Sequence, residues 1–292
     1  MQMQALTRRK LIQAPGMFAA GAGFLHAEEP TARQIVERIQ KNIGVPWRSP
    51  TVDTFKAGNP DAAVKGIATT MMATFDVLQR AARADRNLVI THEPTFYNHE
   101  DDTKDFANDP VFAAKQALIE KNNLVIWRFH DHWHARRPDG ISTGMLEILG
   151  WQKYRSPDNP RLLTMPSTSL SELVKEIRSR LKARTLRVVG DPALPVSRVV
   201  FSPGYSNLQG AVRALSRPEV DVLILGESRE WEGVEYAQDA IATGMKKALI
   251  ILGHVISEEN GMNECARWLK TFVTEVPVDF VPAGEPFWTV GA

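Results

Sequence analysis

Four runs of consecutive apolar residues end in the same way. Leu88, Val89 and Ile90 lead into His92 and Glu93, and Leu124 to Trp127 lead into His130, Asp131, His132 and His134. Val222 to Leu225 lead into Glu227, and Leu249 to Leu252 lead into His254, with Glu258 four residues on. Continuous rather than alternating apolar runs mark strands covered on both faces, and open sheets of that kind present ligands at the carboxyl ends of their strands. Imidazoles and carboxylates are thus delivered to one kind of place. If the extended geometry continues past Trp127, alternation sends His130, His132 and His134 to one side. The alternative for that cluster is a solvated loop.

Between the runs, the spacing of apolar residues predicts helices. Ala32, Ile35, Val36, Ile39 and Ile43 follow a possible cap at Thr31, and Ala73 to Ala84 places Phe75, Val77, Leu78 and Ala82 near one face. Asp109 to Lys121 carries a stripe of Phe112, Ala113, Ala117, Leu118 and Ile119, and Ser142 to Gly150 reads as a helix capped by Ser142. Lys65 to Thr70 is a weak strand candidate. Ser156 to Pro166 is a proline-punctuated connector, Ser169 to Leu181 an amphipathic helix, and Leu186 to Pro192 and Val196 to Gly204 are strands. Ser202 to Gly210, SPGYSNLQG, opens a helix whose free backbone N–H groups could hold an anion; an ordinary turn is the alternative. Trp231 to Ala242 and Glu259 to Thr274 are helical, and a closing edge strand falls around DFVPAG. Helix and strand alternate, which argues for an α/β fold.

The 292 residues, 43% of them hydrophobic, suffice for one large core or two modest ones. With 35 basic against 34 acidic residues there is no electrostatic case for nucleic acid. A single cysteine, Cys265, excludes an intramolecular disulfide and a thiolate-rich metal site, and its helical surroundings suggest a buried structural thiol. Residues 1–27 read as a leader: Thr7-Arg8-Arg9-Lys10-Leu11-Ile12-Gln13 resembles a twin-arginine export signal, with cleavage expected after Ala27 and a periplasmic destination. A basic terminus on a cytoplasmic protein is the alternative. No segment is long enough to span a membrane.

In order, THEPTFY, FHDHWHARRPDGISTGMLEILGW, LRVVGDPALPVSRVVFSPG, DVLILGES and LGHVISEENG resemble segments of the NIF-three-like dinuclear-metal family, which carries the name type 2 GTP cyclohydrolase. The likeness runs over about residues 33–290, and Gly-His-x-x-Ser-Glu at 253–258 is its most specific piece. It implies two facing α/β halves, 28–155 and 156–292, with mixed sheets flanked by helices. Between them it implies a cleft for two divalent ions, zinc, iron or manganese, and a homo-oligomer, commonly a hexameric toroid. Carried over by motif, the ligands are His92, Glu93, His134, His254 and Glu258, with His130 beside them. Glu93 stands where the family usually has histidine, and His134 where it usually has aspartate. These opposite exchanges keep three imidazoles and two carboxylates; compensation and loss of the site are both open readings.

On this reading Glu258 bridges the ions, His92 and His254 share one, and Glu93 and His134 share the other. Asp131 and His132 are candidates to orient a ligand imidazole through its other nitrogen. His99 is a loop residue close in sequence, and Glu227 and Arg229 either line the cleft or form the sheet rim. Metal-assisted hydrolysis of an unidentified small molecule is the leading activity. The alternatives are metal delivery without turnover and a metal-stabilised structural oligomer. No Walker loop or guanine-reading motif is present.

Overall fold

The four apolar runs become four parallel strands, shared between two five-stranded mixed sheets. The computed structural model describes residues 29–290, so the expected leader at 1–27 lies outside the described residues. In the first sheet the order is β1 (Phe55–Ala57), β4 (Val125–Arg128), β3 (Leu88–Thr91), β2 (Ile67–Thr70) and β10 (Val278–Phe280). Only β1 runs antiparallel. In the second the order is β5 (Leu162–Ser169), β7 (Pro195–Tyr205), β8 (Val222–Glu227), β9 (Ala248–Ile251) and β6 (Arg187–Val189), with both edge strands antiparallel. Each sheet therefore gathers the carboxyl ends of its parallel strands on one side.

Helices fill three layers around the sheets. Between them lie α1 (Ala32–Asn42), α5 (Gly140–Leu149), α6 (Leu170–Leu181) and α9 (His254–Leu269), whose apolar faces share one core with Ile67, Ile90 and Trp127 of the first sheet and Phe201, Ile224 and Ile250 of the second. On the outer face of the first sheet, α2 (Phe75–Arg83) and α3 (Pro110–Lys121) cover Ala68, Val89 and Ile126. On that of the second, α7 (Leu208–Leu215) and α8 (Glu235–Ala242) cover Val200, Leu223 and Leu249. Covering on both faces is what the unbroken apolar runs require. The fold is α/β with two mixed sheets flanked by helices, as the sequence indicates.

Local chemistry explains most element ends. Thr31 and Gln34 form a reciprocal capping box at the start of α1. Asp139, rather than Ser142, caps α5 by accepting the Ser142 N–H, and Gly150 ends it in the left-handed region at φ 68°. The stretch taken as a connector contains strand β5; Pro166 is tolerated because β5 is an edge strand and its register shifts between Thr164 and Thr168. On α3 the buried residues are Lys115 and Ile119, so the expected apolar stripe is broken by a lysine. A π-turn at Glu230–Val234 precedes α8. The last long helix begins at His254, five residues before the expected Glu259, which puts His254 and Glu258 on adjacent turns of α9. Cys265 is buried in α9 as a structural thiol, and burial raises its pKa.

Helices α5 and α9 meet backbone to backbone. A Cβ at Gly144 would stand 2.2 Å from the Asn260 carbonyl oxygen, and one at Gly261 2.5 Å from Ile141 Cα. Gly144→Ala is therefore expected to force the helices apart and lower stability by about 1–3 kcal/mol, read from denaturant unfolding. Lys115 donates to the Thr95 carbonyl at 2.5 Å, and burial lowers its pKa from 10.5 to about 8. The folded state therefore binds fewer protons than the unfolded chain between those values, and stability gains with pH across that window. Lys115→Met should remove that gain, so the difference in unfolding midpoint between the two proteins should change between pH 7.5 and pH 10; a constant difference counts against a depressed Lys115.

Candidate metal centre

The chain leaves β4 at Arg128 and turns at once into a short helix, α4 (Asp131–Ala135). The cause is Asp53, buried on the loop before β1, whose carboxylate accepts the backbone N–H groups of His130, Asp131 and His132 at 2.7, 2.9 and 2.9 Å. Helical spacing then puts His130 and His134 on one face and His132 on another, which overturns the expectation that all three point the same way. The His132 ring is buried, stacks on Trp47 with centroids 3.6 Å apart, accepts the Arg48 N–H at Nε2 and donates from Nδ1 to Asp53. Both its nitrogens are committed, so His132 orients no other imidazole. Asp131 does: it holds His130 Nδ1 at 2.9 Å.

Five side chains converge where the carboxyl ends of β3 and β4 meet the amino end of α9. His92 Nε2 stands 3.2 Å from His134 Nε2 and 3.7 Å from Glu258 Oε2. His254 Nε2 stands 3.2 Å from Glu258 Oε2 and 3.3 Å from Glu93 Oε1, while His134 Nε2 is 3.8 Å from Glu258 Oε1. Two nitrogens held about 2.0–2.1 Å from one tetrahedral ion stand roughly 3.3 Å apart, which is the spacing seen here. Donors of His92, His130 and His134, and of His92, Glu93 and Glu258, lie within 4.8 Å of one another, so either group could hold a metal ion. The short distances pair His92 with His134 and Glu93 with His254. The sequence reading pairs His92 with His254 and Glu93 with His134.

The outward nitrogen of each imidazole is already fixed. His92 Nδ1 donates to the Phe129 carbonyl at 3.0 Å, His134 Nδ1 to Asp139 at 2.9 Å, and His254 Nδ1 lies 3.2 Å from Glu227. All three therefore present Nε2 inward, as ligand histidines do when a carbonyl or carboxylate holds the other nitrogen. Glu93 is held through its second oxygen by the fully buried Arg128 at 3.2 Å, and Arg128 also donates to the His92 and His99 carbonyls. Sequence reasoning missed Arg128, Asp53 and Asp139; only the proximity of Arg128 and Asp139 to the histidine motif signals them. Glu227 joins the centre, whereas Arg229 pairs with Glu232 and stacks on Trp231. His99 is exposed, its ring 6.2 Å from that of His130 on the cavity wall.

Burial, with the neighbouring His130 and His134 rings, holds the His92 pKa well below its usual value. Burial also opposes a proton on His254, yet the carboxylates of Glu227, Glu258 and Glu93 close beside its ring outweigh it and push its pKa up to about 12. Burial opposes a proton on His134 too, but Asp139 outweighs it and raises the pKa. One carboxylate oxygen, Glu258 Oε2, is buried with no hydrogen-bond partner. A cation among these donors satisfies it, and the donor set suits a divalent metal. Above the donors opens a cavity of about 710 Å³ lined by Glu93, His130, His134, His254 and Glu258 on one side and by Arg137, Arg155 and Arg161 on the other.

Two substitutions separate support of the ligands from support of the fold. Asp139→Asn should weaken metal binding about 10–100-fold with little change in stability, by freeing the His134 ring. Asp53→Ala should weaken it similarly and also cost about 0.5–2 kcal/mol of stability by uncapping α4. Metal titration and denaturant unfolding of both variants check this; equal stability loss in the two would show that Asp53 acts only through metal.

Known proteins match this chain over most of its length. The family model for Duf34/NIF3 (NGG1p interacting factor 3) matches residues 52–285. A Clostridium acetobutylicum protein called a GTP cyclohydrolase 1 type 2 homolog is 23% identical over 212 residues, 69% of this chain and 75% of the relative. A Chlamydia pneumoniae protein of the same name is 25% identical over 255 residues, 80% of this chain and 89% of the relative. A Bacillus cereus protein related to NIF3 shares the fold with a TM-score of 0.70 at 12% identity, across 90% of this chain and 100% of that one. No helix among the described residues is long and apolar enough to cross a membrane. Matched over most of its length, the chain belongs to the Duf34/NIF3 family.

Proposed function

We propose that this protein is a metal-dependent hydrolase with a dinuclear centre. The observation that carries the proposal is the buried, unpartnered Glu258 Oε2, set 3.7 Å from His92 Nε2 and 3.2 Å from His254 Nε2. On this reading Glu258 would be shared between two divalent ions, zinc, iron or manganese. His92 and His134 would hold one and Glu93 and His254 the other, in a cleft between the halves 28–155 and 156–292. When bound, two such ions supply Lewis acidity that activates water and offsets developing negative charge. The chain's own residues position the reaction: Asp139 and Glu227 fix imidazole orientation, and Arg128 aims Glu93. His130, tethered by Asp131 on the cavity wall, is placed to exchange a proton with substrate.

The cyclohydrolase name of the relatives makes GTP one compound to assay, although no guanine-reading motif is present. We read the molecule further as a homo-oligomer, a hexamer by family likeness, exported in the folded state through the twin-arginine-like leader. Elemental analysis of protein purified without added metal should find two ions per chain. Glu258→Gln should lower this to one or none, and the loaded wild type should turn over a member of a panel of phosphoesters, nucleotides and small amides. Metal present without turnover, but passed rapidly to an acceptor, would favour delivery instead; inert metal whose chelation dissolves the assembly would favour a structural role.

A further inference from the structure

A second chamber adjoins the metal-facing cavity. It encloses about 370 Å³ and meets the larger space across Arg161, Pro203 and Tyr205, which line both. Its charge is one-sided. Three guanidinium groups, Arg161, Arg213 and Arg217, line it, and no carboxylate does. Arg217 is engaged with Glu219, whereas among the described residues Arg161 and Arg213 enter no salt bridge. The metal-facing cavity is mixed, with Glu93, Asp139 and Glu258 facing the same space as Arg137, Arg155 and Arg161. The smaller chamber is therefore a local excess of positive charge in a chain of net charge +1.

A helix start borders the same space. The SPGYSNLQG stretch continues as strand through Tyr205 before α7 begins, and Asn207 caps the helix by accepting the Gly210 N–H. Ser206, buried, and Asn207 line the chamber beside that helix start, which carries partial positive charge. On the metal side of the divide, Arg155 lines the larger cavity, and its Nε is buried without a hydrogen-bond partner. Unpaired guanidinium groups thus stand on both sides of Arg161.

We propose that the arginine chamber is the subsite for a phosphate group of the substrate, whose reacting bond then reaches the donors around Glu258. The inference rests on the hydrolase reading and narrows it to phosphorylated small molecules. Phosphate is favoured over carboxylate because two unpaired guanidinium groups match a dianion, and guanidinium binds phosphate oxygens through paired, charge-assisted hydrogen bonds. The exposed Tyr205 ring at the junction gives a flat surface for the part of the substrate between the two ends.

Calorimetric titration of the full chain with inorganic phosphate, before and after chelator treatment, tests this. Phosphate should bind in both states, and Arg161→Gln and Arg213→Gln should each weaken it about tenfold without changing metal content or melting temperature. Arg213→Lys should recover part of the loss. Unchanged affinity in both glutamine variants overturns the subsite, as does binding that vanishes on chelation alone, which would put phosphate on the ions. Acetate competing as well as phosphate overturns the phosphate assignment. If the purified protein holds no metal, the hydrolase reading fails, while the phosphate titration of that same protein still decides the chamber.

Discussion

A carboxylate does not remain buried with an oxygen that accepts no hydrogen bond unless positive charge stands close by, and Glu258 puts that demand at the centre of this molecule. It is 2% exposed, on the first turns of a helix packed between two sheets. The surrounding structure is arranged to supply cations or groups that bind them. Gly204 shows how tightly: a Cβ there would lie 2.5 Å from Glu258 Oε1, so the last residues of β7 must approach as bare backbone. Its φ of +75° makes glycine doubly required.

The opposite exchanges at Glu93 and His134 acquire a geometric meaning from the observed pairing. Glu93 falls with His254 and Glu258, and His134 falls with His92, beside His130. The two ends of the cluster are therefore unlike, one rich in oxygen and the other in nitrogen. Oxygen-rich sets suit harder cations and imidazole-rich sets suit borderline ones, so the two ends of the donor cluster are chemically distinct. Each exchanged residue also has its own support, Arg128 for Glu93 and Asp139 for His134. Such specific holding fits a cluster maintained as a unit.

Much of this was legible from residue order. The apolar runs gave the parallel strands because both their faces are covered, and the polar residues at their ends did converge. The turn after β4 was not legible, since it depends on Asp53, 77 residues from the His130 N–H it binds. Alternation was the reasonable local expectation for His130, His132 and His134, and a distant carboxylate overrode it by capping three N–H groups. The pairing of ligands was hidden for a similar reason: it follows from side-chain directions set by Phe129, Asp139 and Glu227. Strand β5 was obscured by Pro166, whose edge position becomes evident only once the sheet is assembled.

The strand order of the first sheet also bears on how the molecule comes into being. Strand β10, translated after every other strand, pairs in parallel with β2, next to the strand that presents His92 and Glu93. A nascent chain still missing it carries an open sheet edge at β2, with His254 and Glu258 only just synthesised. The candidate ligands thus come from both ends of the sequence, and the first half alone cannot bring them together.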